Sequence, residues 1–394
     1  MITPEPRELQ ELVRELHHRS SPWLPSGLGT RLHWGPPVEA GPGESEPTVL
    51  STARLDRVLE HNPGDFTITV QAGAPLAAVQ ETLAEHRQWL AVDWPWGSRG
   101  NGAGSGSIGG LVARGLAGGY RQRYLGIRDQ LIGIALMRAD GTRARAGGKV
   151  VKNVAGYDLM RLLCGSWGSL ALITELTLRT LPVPPERRGL WLGGPLHSLA
   201  KLSRWLLNSS LSPERVEWLR PPGGEAGMLV SLASISSQTL EEQVACIAGK
   251  ASEHSCTSET LNGEALLERL DQGLGGGADG PWLLRLGVRP DRGPELLKEP
   301  ALAGIPIVLG AASGLAMAWA GSDALPAYRV EALRRRCQEL GGFLTVLCQP
   351  SGSTIPAWLD APSRPQIEAV KRQFDPKQQL ARCRLPGVYN ASTR

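Results

Sequence analysis

The run Gly147-Gly148-Lys149-Val150-Val151-Lys152-Asn153-Val154-Ala155-Gly156-Tyr157-Asp158-Leu159, which leads to Leu163-Cys164-Gly165-Ser166-Trp167-Gly168-Ser169, forces the backbone to bend sharply twice. A β-branched extended stretch enters it and Asn153 to Gly156 turns it. Tyr157 to Leu163 allows one apolar helical turn, and glycines precede the next strand. Glycine permits positive φ and lets another group approach the main chain, so Gly156, Gly165 and Gly168 mark either a ligand contact or a plain connection between a strand and a helix. On pattern alone the plain connection is the simpler of the two.

At 394 residues the chain has room for two or three domains with well-buried cores. Its net charge of +4 is small for that length and no Lys/Arg block occurs, which argues against a nucleic-acid partner. Cys164, Cys246, Cys256, Cys337, Cys348 and Cys383 are scattered, without Cys-x-x-Cys spacing or a paired histidine. They suggest no zinc or iron–sulfur site and read as buried thiols of a reducing compartment. Met1 to Glu15 carries acidic and prolyl residues where a signal peptide has a basic region and an apolar core. No apolar run approaches the roughly 20 residues of a membrane helix. The expectation is a cytoplasmic chain with no direct membrane span and no metal.

Leu9, Leu12, Val13 and Leu16 recur at helical spacing. The adjacent His17-His18 point in different directions on such a helix, so they read as a surface pair. Pro25-Ser26-Gly27-Leu28-Gly29-Thr30 comes next, a tight Gly-x-Gly turn with a hydroxyl after it, which can aim successive amides at a phosphate. Phe66, Ile68, Val70 and Ala72 alternate with polar residues as in a half-buried strand. Gly73-Ala74-Pro75 then turns the chain into a helix carrying Leu76, Val79 and Leu83.

Gly104, Gly106 and Gly109 spell Gly-x-Gly-x-x-Gly, and Asp129 stands about 20 residues on, as in a dinucleotide-binding Rossmann fingerprint. That motif must leave a strand and enter a long helix. Here Pro95 and Gly97 precede it, while Gly115, Gly118 and Gly119 break any helix behind it. A Walker A loop is excluded because Gly148-Lys149 is succeeded by Val150. Ser107-Ile108-Gly109-Gly110 therefore reads as a second phosphate-cradling loop. Trp94 and Trp96 are either neighbours of a ring system or ordinary core aromatics. Ile132, Ile134 and Leu136 alternate as a strand, Asp140-Gly141 signals a hairpin, and Leu170 to Leu178 reads as a buried strand.

Beyond Gly189 the motifs thin out. Helices are expected around Leu199 to Leu206, around Leu240 to Ile247 ending at Gly249, and around Val330 to Cys337. Strands are expected at 228–232, 282–288, 305–309, 315–319 and 343–348, with a flexible loop at 273–280 and a last helix through Ile367, Val370 and Phe374.

Lys152 to Asp158 with Leu163 to Glu175 after it, the loop Pro25 to Thr30, Ser107 to Ala113 and Arg128-Asp129 together resemble the vanillyl-alcohol-oxidase or PCMH-type FAD-binding fold, and within it the smaller flavin-binding subunit of bacterial glycolate oxidases (GlcE type). The resemblance covers about residues 20 to 185. It returns weakly at Arg372 to Lys377, where the family usually continues into Asn-Pro-Gly-Arg and this chain continues Ala381-Arg382-Cys383-Arg384. It implies an α+β fold: a PCMH-type FAD-binding domain of two α+β subdomains over 1–185, plus an α+β cap over 186–394. The implied cofactor site comprises Pro25, Ser26, Gly27, Leu28, Gly29, Thr30, Ser107, Ile108, Gly109, Gly110, Ala155, Gly156 and Ile173. Some relatives carry a covalent histidine in the first loop. None stands between Pro25 and Thr30, and His33 lies just beyond, so FAD is expected to be non-covalent.

Oxidising a 2-hydroxy acid also requires a base for the hydroxyl proton and a cation for the carboxylate. Catalytic relatives often carry Gly-Asp-Gly-Asn-x-His in the cap, whereas this chain has no histidine after His254. Arg285, Arg289 and Arg334 read as surface residues, and Lys149 and Lys152 either offset flavin charge or are solvated. No catalytic base is identified. Three functions remain open: an FAD-binding subunit working with a larger catalytic flavoprotein chain and an iron–sulfur chain, a self-sufficient FAD-dependent dehydrogenase of D-lactate or glycolate type, and a flavin-fold scaffold without cofactor.

Overall fold

A computed structural model describes residues 1–38, 46–93, 106–149, 158–274 and 281–385. The chain forms two compact units, one of residues 1–116, 126–183 and 358–394, the other of 117–125 and 184–357.

Among the described residues the first unit holds three sheets, the smallest pairing Gln88–Trp89 with Leu181–Pro182. Trp23–Ser26 pairs in parallel with Thr48–Ser51. Helix Leu9–His18 packs Leu9, Val13 and Leu16 into the small core that also buries Trp23 and Leu50. The larger sheet is antiparallel, in the order Val58–Asn62, Thr67–Gln71, Leu172–Arg179, Leu131–Met137, Arg143–Gly147. Every residue of the apolar strand Leu131–Met137 is buried, and the Asp140-Gly141 hairpin joins it to the next strand with Gly141 at φ +78°. Ile68 and Val70 are fully buried, but Phe66 lies outside the strand, left-handed and exposed. It serves the hairpin turn, so the buried phase begins at Thr67. The helix after Pro75 runs Leu76–Ala84, and its apolar residues join the core of the larger sheet.

The second unit is built on an eight-stranded antiparallel sheet. Its order is Thr257–Leu261, Glu186–Gly193, Gly227–Ser234, Arg215–Arg220, Ile307–Gly310, Leu315–Ala320, Trp282–Gly287, Phe343–Cys348. Helices Leu196–Asn208, Ser237–Glu253 and Ala327–Glu339 contribute Leu199, Leu202, Leu240, Ile247, Val330 and Leu333 to its core. The helix expected to stop at Gly249 runs on to Glu253, because Ala251 buries its side chain in the core and offsets the roughly 1 kcal/mol cost of a helical glycine. Helix Gly263–Leu274 reaches the start of the segment read as a loop. Both units mix strands and helices around their own cores, the expected α+β class.

The short stretch 117–125 belongs to the second unit through polar contacts. Tyr124 Oη donates to Glu214 Oε1 at 2.5 Å, and Gln122 Oε1 accepts from the Val216 amide at 3.1 Å. Arg187 Nε and Ser231 Oγ also donate to Glu214 Oε2, at 3.0 and 3.1 Å. Burial first, and then the bond to Glu214, raise the Tyr124 phenol well above its ordinary pKa. Arg334, expected at the surface, is buried, because its guanidinium holds the carbonyls of Pro356 and Ala357.

Candidate dinucleotide site

In the first unit three glycine-bearing segments meet. The first loop leaves strand Trp23–Ser26, and the second opens helix Ile108–Arg114 with Ser107 as its N-cap. A β-carbon on Gly27 would lie 1.9 Å from Ser107 Oγ and 2.9 Å from Ser107 Cβ, so only glycine fits where the loops touch. The Arg31 guanidinium bridges them: it donates to Thr30 Oγ1 at 2.9 Å, and a β-carbon on Gly106 would sit 2.8 Å from its Nη1. The third segment is the turn Cys164 to Gly168. Its Gly165 and Trp167 amides donate to Val112 O and Ala113 O at 3.0 and 2.9 Å, and Gly168 would place a β-carbon 3.5 Å from the Pro25 ring. Gly165 and Gly168 have φ of +82° and +75°.

The two loops use their amides differently. In the second, Ile108 and Gly109 donate to Ala74 O and Ala72 O at 3.0 and 2.8 Å, and Gly110 donates to Ser107 Oγ at 3.1 Å. In the first, the consecutive amides of Gly27, Leu28, Gly29 and Thr30 donate to no acceptor among the described residues, and all four residues are half-buried. The oxygens beside them are held: Ser26 O accepts from the Thr52 amide at 2.9 Å and Gly27 O accepts from Ser51 Oγ at 2.8 Å. Fixing the carbonyls orients the peptide planes, so the loop presents a row of pre-aimed donors. Such a row has the chemistry to hold an anion, and half-buried amides without acceptors are unfavourable.

Cations gather at the C-terminal end of this loop, where Arg31 follows Thr30. Arg114 donates through Nη2 to Arg31 O and lies over the Trp34 and Trp167 rings at 5.6 and 4.3 Å. Arg384, from the C-terminal tail, donates through Nη2 to Leu32 O at 2.7 Å. Between them His33 is shifted toward its neutral form, first by burial and then by Arg114, Arg31 and Arg384. Sequence patterning did not single out Arg31 and Arg114, and it met Arg384 only as a departure from the C-terminal signature, because the three come from distant parts of the chain.

Ile173, expected at the cofactor, lies in strand Leu172–Arg179 with its side chain in the core that also holds Ile108 and Val112. Pro25 and Ser26 end the parallel strand. Ala155, Gly156, Lys152, Trp94 and Trp96 lie outside the described residues. Lys149 is exposed and paired with Glu60. Asp129 accepts from the Gly126 amide at 3.2 Å and so fixes a turn. His17 bonds Gln379, and no group of three His, Cys, Asp or Glu among the described residues can hold a metal. A separate cavity of about 400 Å³, lined by residues such as Leu9, Gln71, Arg143 and Glu175, includes none of the loop residues.

A dinucleotide diphosphate needs several donors, close backbone approach and positive charge, and these residues offer all three. Residues 3–147 match the FAD binding domain family. Loops and this match define the class of that part of the chain: an FAD-binding domain, with FAD as its cofactor. The chain is 32% identical over 227 residues to the glycolate oxidase subunit GlcE of Escherichia coli (strain K12), covering 56% of this chain and 61% of that one. It is 36% identical over 189 residues to a D-2-hydroxyglutarate dehydrogenase of Xanthomonas citri pv. viticola, covering 48% of this chain and 38% of that one. An alkyldihydroxyacetonephosphate synthase has the same fold, with a TM-score of 0.63 and 15% identity across 96% of this chain and 75% of that chain. The matched part thus spans less than two thirds of each of these two sequence relatives.

Proposed function

We propose that this chain is the FAD-binding subunit of a glycolate oxidase or dehydrogenase assembly, supporting oxidation of a 2-hydroxy acid, glycolate, to glyoxylate. Residues Pro25 to Thr30, Ser107 to Gly110, Ala155, Gly156 and Ile173 form its non-covalent cofactor site, in a domain of about residues 1–185 that the tail 358–394 joins, with about 186–357 as cap. Bound FAD supplies the electron acceptor; the chain's own residues bind it, orient it and offset its charge. The observation that carries the reading is the contact of Gly27 with Ser107 beside four amides that have no acceptor among the described residues. The GlcE relative gives the reading its substrate class.

Turnover on this reading belongs to a larger flavoprotein subunit, with an iron–sulfur subunit taking the electrons. In the cap, Arg289 is paired with Asp291 and Arg334 with main-chain carbonyls, so both have structural employment. Among the described residues no helix is long and apolar enough to cross a membrane. The assembly is cytoplasmic on this reading, meeting a membrane only through partners. Anaerobic addition of glycolate to the purified single chain tests it. Flavin absorbance should persist until the partners are added, and bleaching without them would make the chain a self-sufficient dehydrogenase.

A further inference from the structure

Arg384 is 4% exposed, yet it has no ion pair among the described residues, and its Nε, buried away from solvent, has no acceptor. The bond from its Nη2 to Leu32 O, at 2.7 Å, places it two residues beyond the loop of unpartnered amides. Burial lowers its pKa to about 10. A buried cation is costly unless an anion or several acceptors compensate it. A neutral carbonyl supplies no such charge.

The tail that delivers this arginine is firmly anchored. Lys371 Nζ donates to Asp375 Oδ2, Ser169 O and Leu380 O at 2.6, 2.7 and 2.8 Å. The Ala381 amide donates to Trp23 O at 2.9 Å, and Ser169 Oγ donates to Ala381 O at 3.3 Å. The tail is thus tied to the strand that opens the first loop and to the turn that packs on Pro25. A guanidinium held so rigidly is pre-organised and loses little freedom when it meets a ligand.

We propose that Arg384 supplies the fixed positive charge that neutralises the diphosphate of the dinucleotide gripped by the amides of Gly27 to Thr30. The inference rests on the reading of that loop as the FAD site and adds a residue from the opposite end of the chain to it. The amides provide direction, and the guanidinium provides the net charge that amides lack.

The test compares wild type with Arg384→Met and Arg384→Lys in the full chain. FAD affinity is measured by flavin fluorescence, and thermal melting of the cofactor-free protein is monitored with and without inorganic pyrophosphate. Arg384→Met should weaken FAD binding at least tenfold and abolish the stabilisation by pyrophosphate, with Arg384→Lys falling between. Arg384→Met binding FAD as tightly as wild type would overturn the proposal. If Arg384→Met does not fold, wild type decides: no pyrophosphate stabilisation, or the same shift from sodium chloride at equal ionic strength, overturns it. Wild type that takes up no FAD but is stabilised by pyrophosphate through Arg384 would instead sink the assignment of FAD to the loop, so the two failures are distinguishable.

Discussion

Gly27 and Ser107, from a loop that leaves a strand and one that opens a helix, approach so closely that a methyl on Gly27 would fall 1.9 Å from the Ser107 hydroxyl oxygen. That oxygen is already engaged as the N-cap acceptor for Gly110 at 3.1 Å. Gly27→Ala should therefore expel the cap as well as widen the loop junction, costing about 1–3 kcal/mol and weakening FAD binding. Urea unfolding and a flavin titration of the variant check both effects. Unchanged values would show that the two loops are not mechanically linked.

Neighbouring glycines of the second loop should behave in opposite ways. A β-carbon on Gly109 would meet Ala72 O at 2.7 Å and Ala72 Cβ at 2.8 Å, where the backbone has no room to move. On Gly110 the nearest contact is Ser107 Oγ at 3.2 Å. Gly109→Ala should destabilise by about 1–3 kcal/mol, whereas Gly110→Ala should lie within about 1 kcal/mol of wild type because helix propensity offsets the crowding. Denaturant midpoints of the pair, measured side by side, decide it.

The buried Lys371–Asp375 pair, 2.6 Å apart, should be intolerant of losing one partner. Asp375 is fully buried and also accepts from the Leu380 amide at 2.7 Å. Asp375→Ala leaves an uncompensated ammonium in the core at a cost of about 3–5 kcal/mol. The expected readout is a large fall in the unfolding midpoint, with protease cleavage appearing in the tail.

Cys383 has φ +63°, in the left-handed region that disfavours a β-carbon. Cys383→Gly should relieve about 1 kcal/mol of that strain, less the entropy glycine gains in the unfolded chain. A lower unfolding midpoint in the variant would mean that the Cys383 side chain contributes more than the strain costs.

Burial pushes the thiols of Cys164 and Cys337 up to about 11 and about 12. Their folded pKa values exceed the unfolded value near 9, so the unfolded state releases protons first as pH rises. Stability is then fully present below about pH 9 and falls above it, by about 1.4 kcal/mol per pH unit for each thiol at most. Urea midpoints at about pH 8 and about pH 10, on either side of that onset, test the sign, with Cys164→Ser and Cys337→Ala reducing the slope.

Much of the architecture could be read in advance. Ile68 and Val70, Ile132 to Leu136, and Asp140-Gly141 produced the strands and hairpin their periodicities required, because side-chain alternation and turn chemistry are local. Phe66 departed from its strand because the hairpin turn needed it, and Arg334 from the surface because two carbonyls needed a donor. Gly263–Leu274 formed a helix up to a stretch whose glycines had suggested a loop.

By itself the sequence determined where the backbone can bend, which segments alternate and which loops can face an anion, since glycine sterics and side-chain period belong to adjacent residues. Only the tertiary structure decided that the Ile108 to Gly110 amides are satisfied within the chain while those of Gly27 to Thr30 meet no acceptor among the described residues, and that Arg384 reaches Leu32 across 352 positions. Hydrogen-bond partnership and charge compensation depend on which distant carbonyls, hydroxyls and cations arrive at a loop, and the fold alone brings them there.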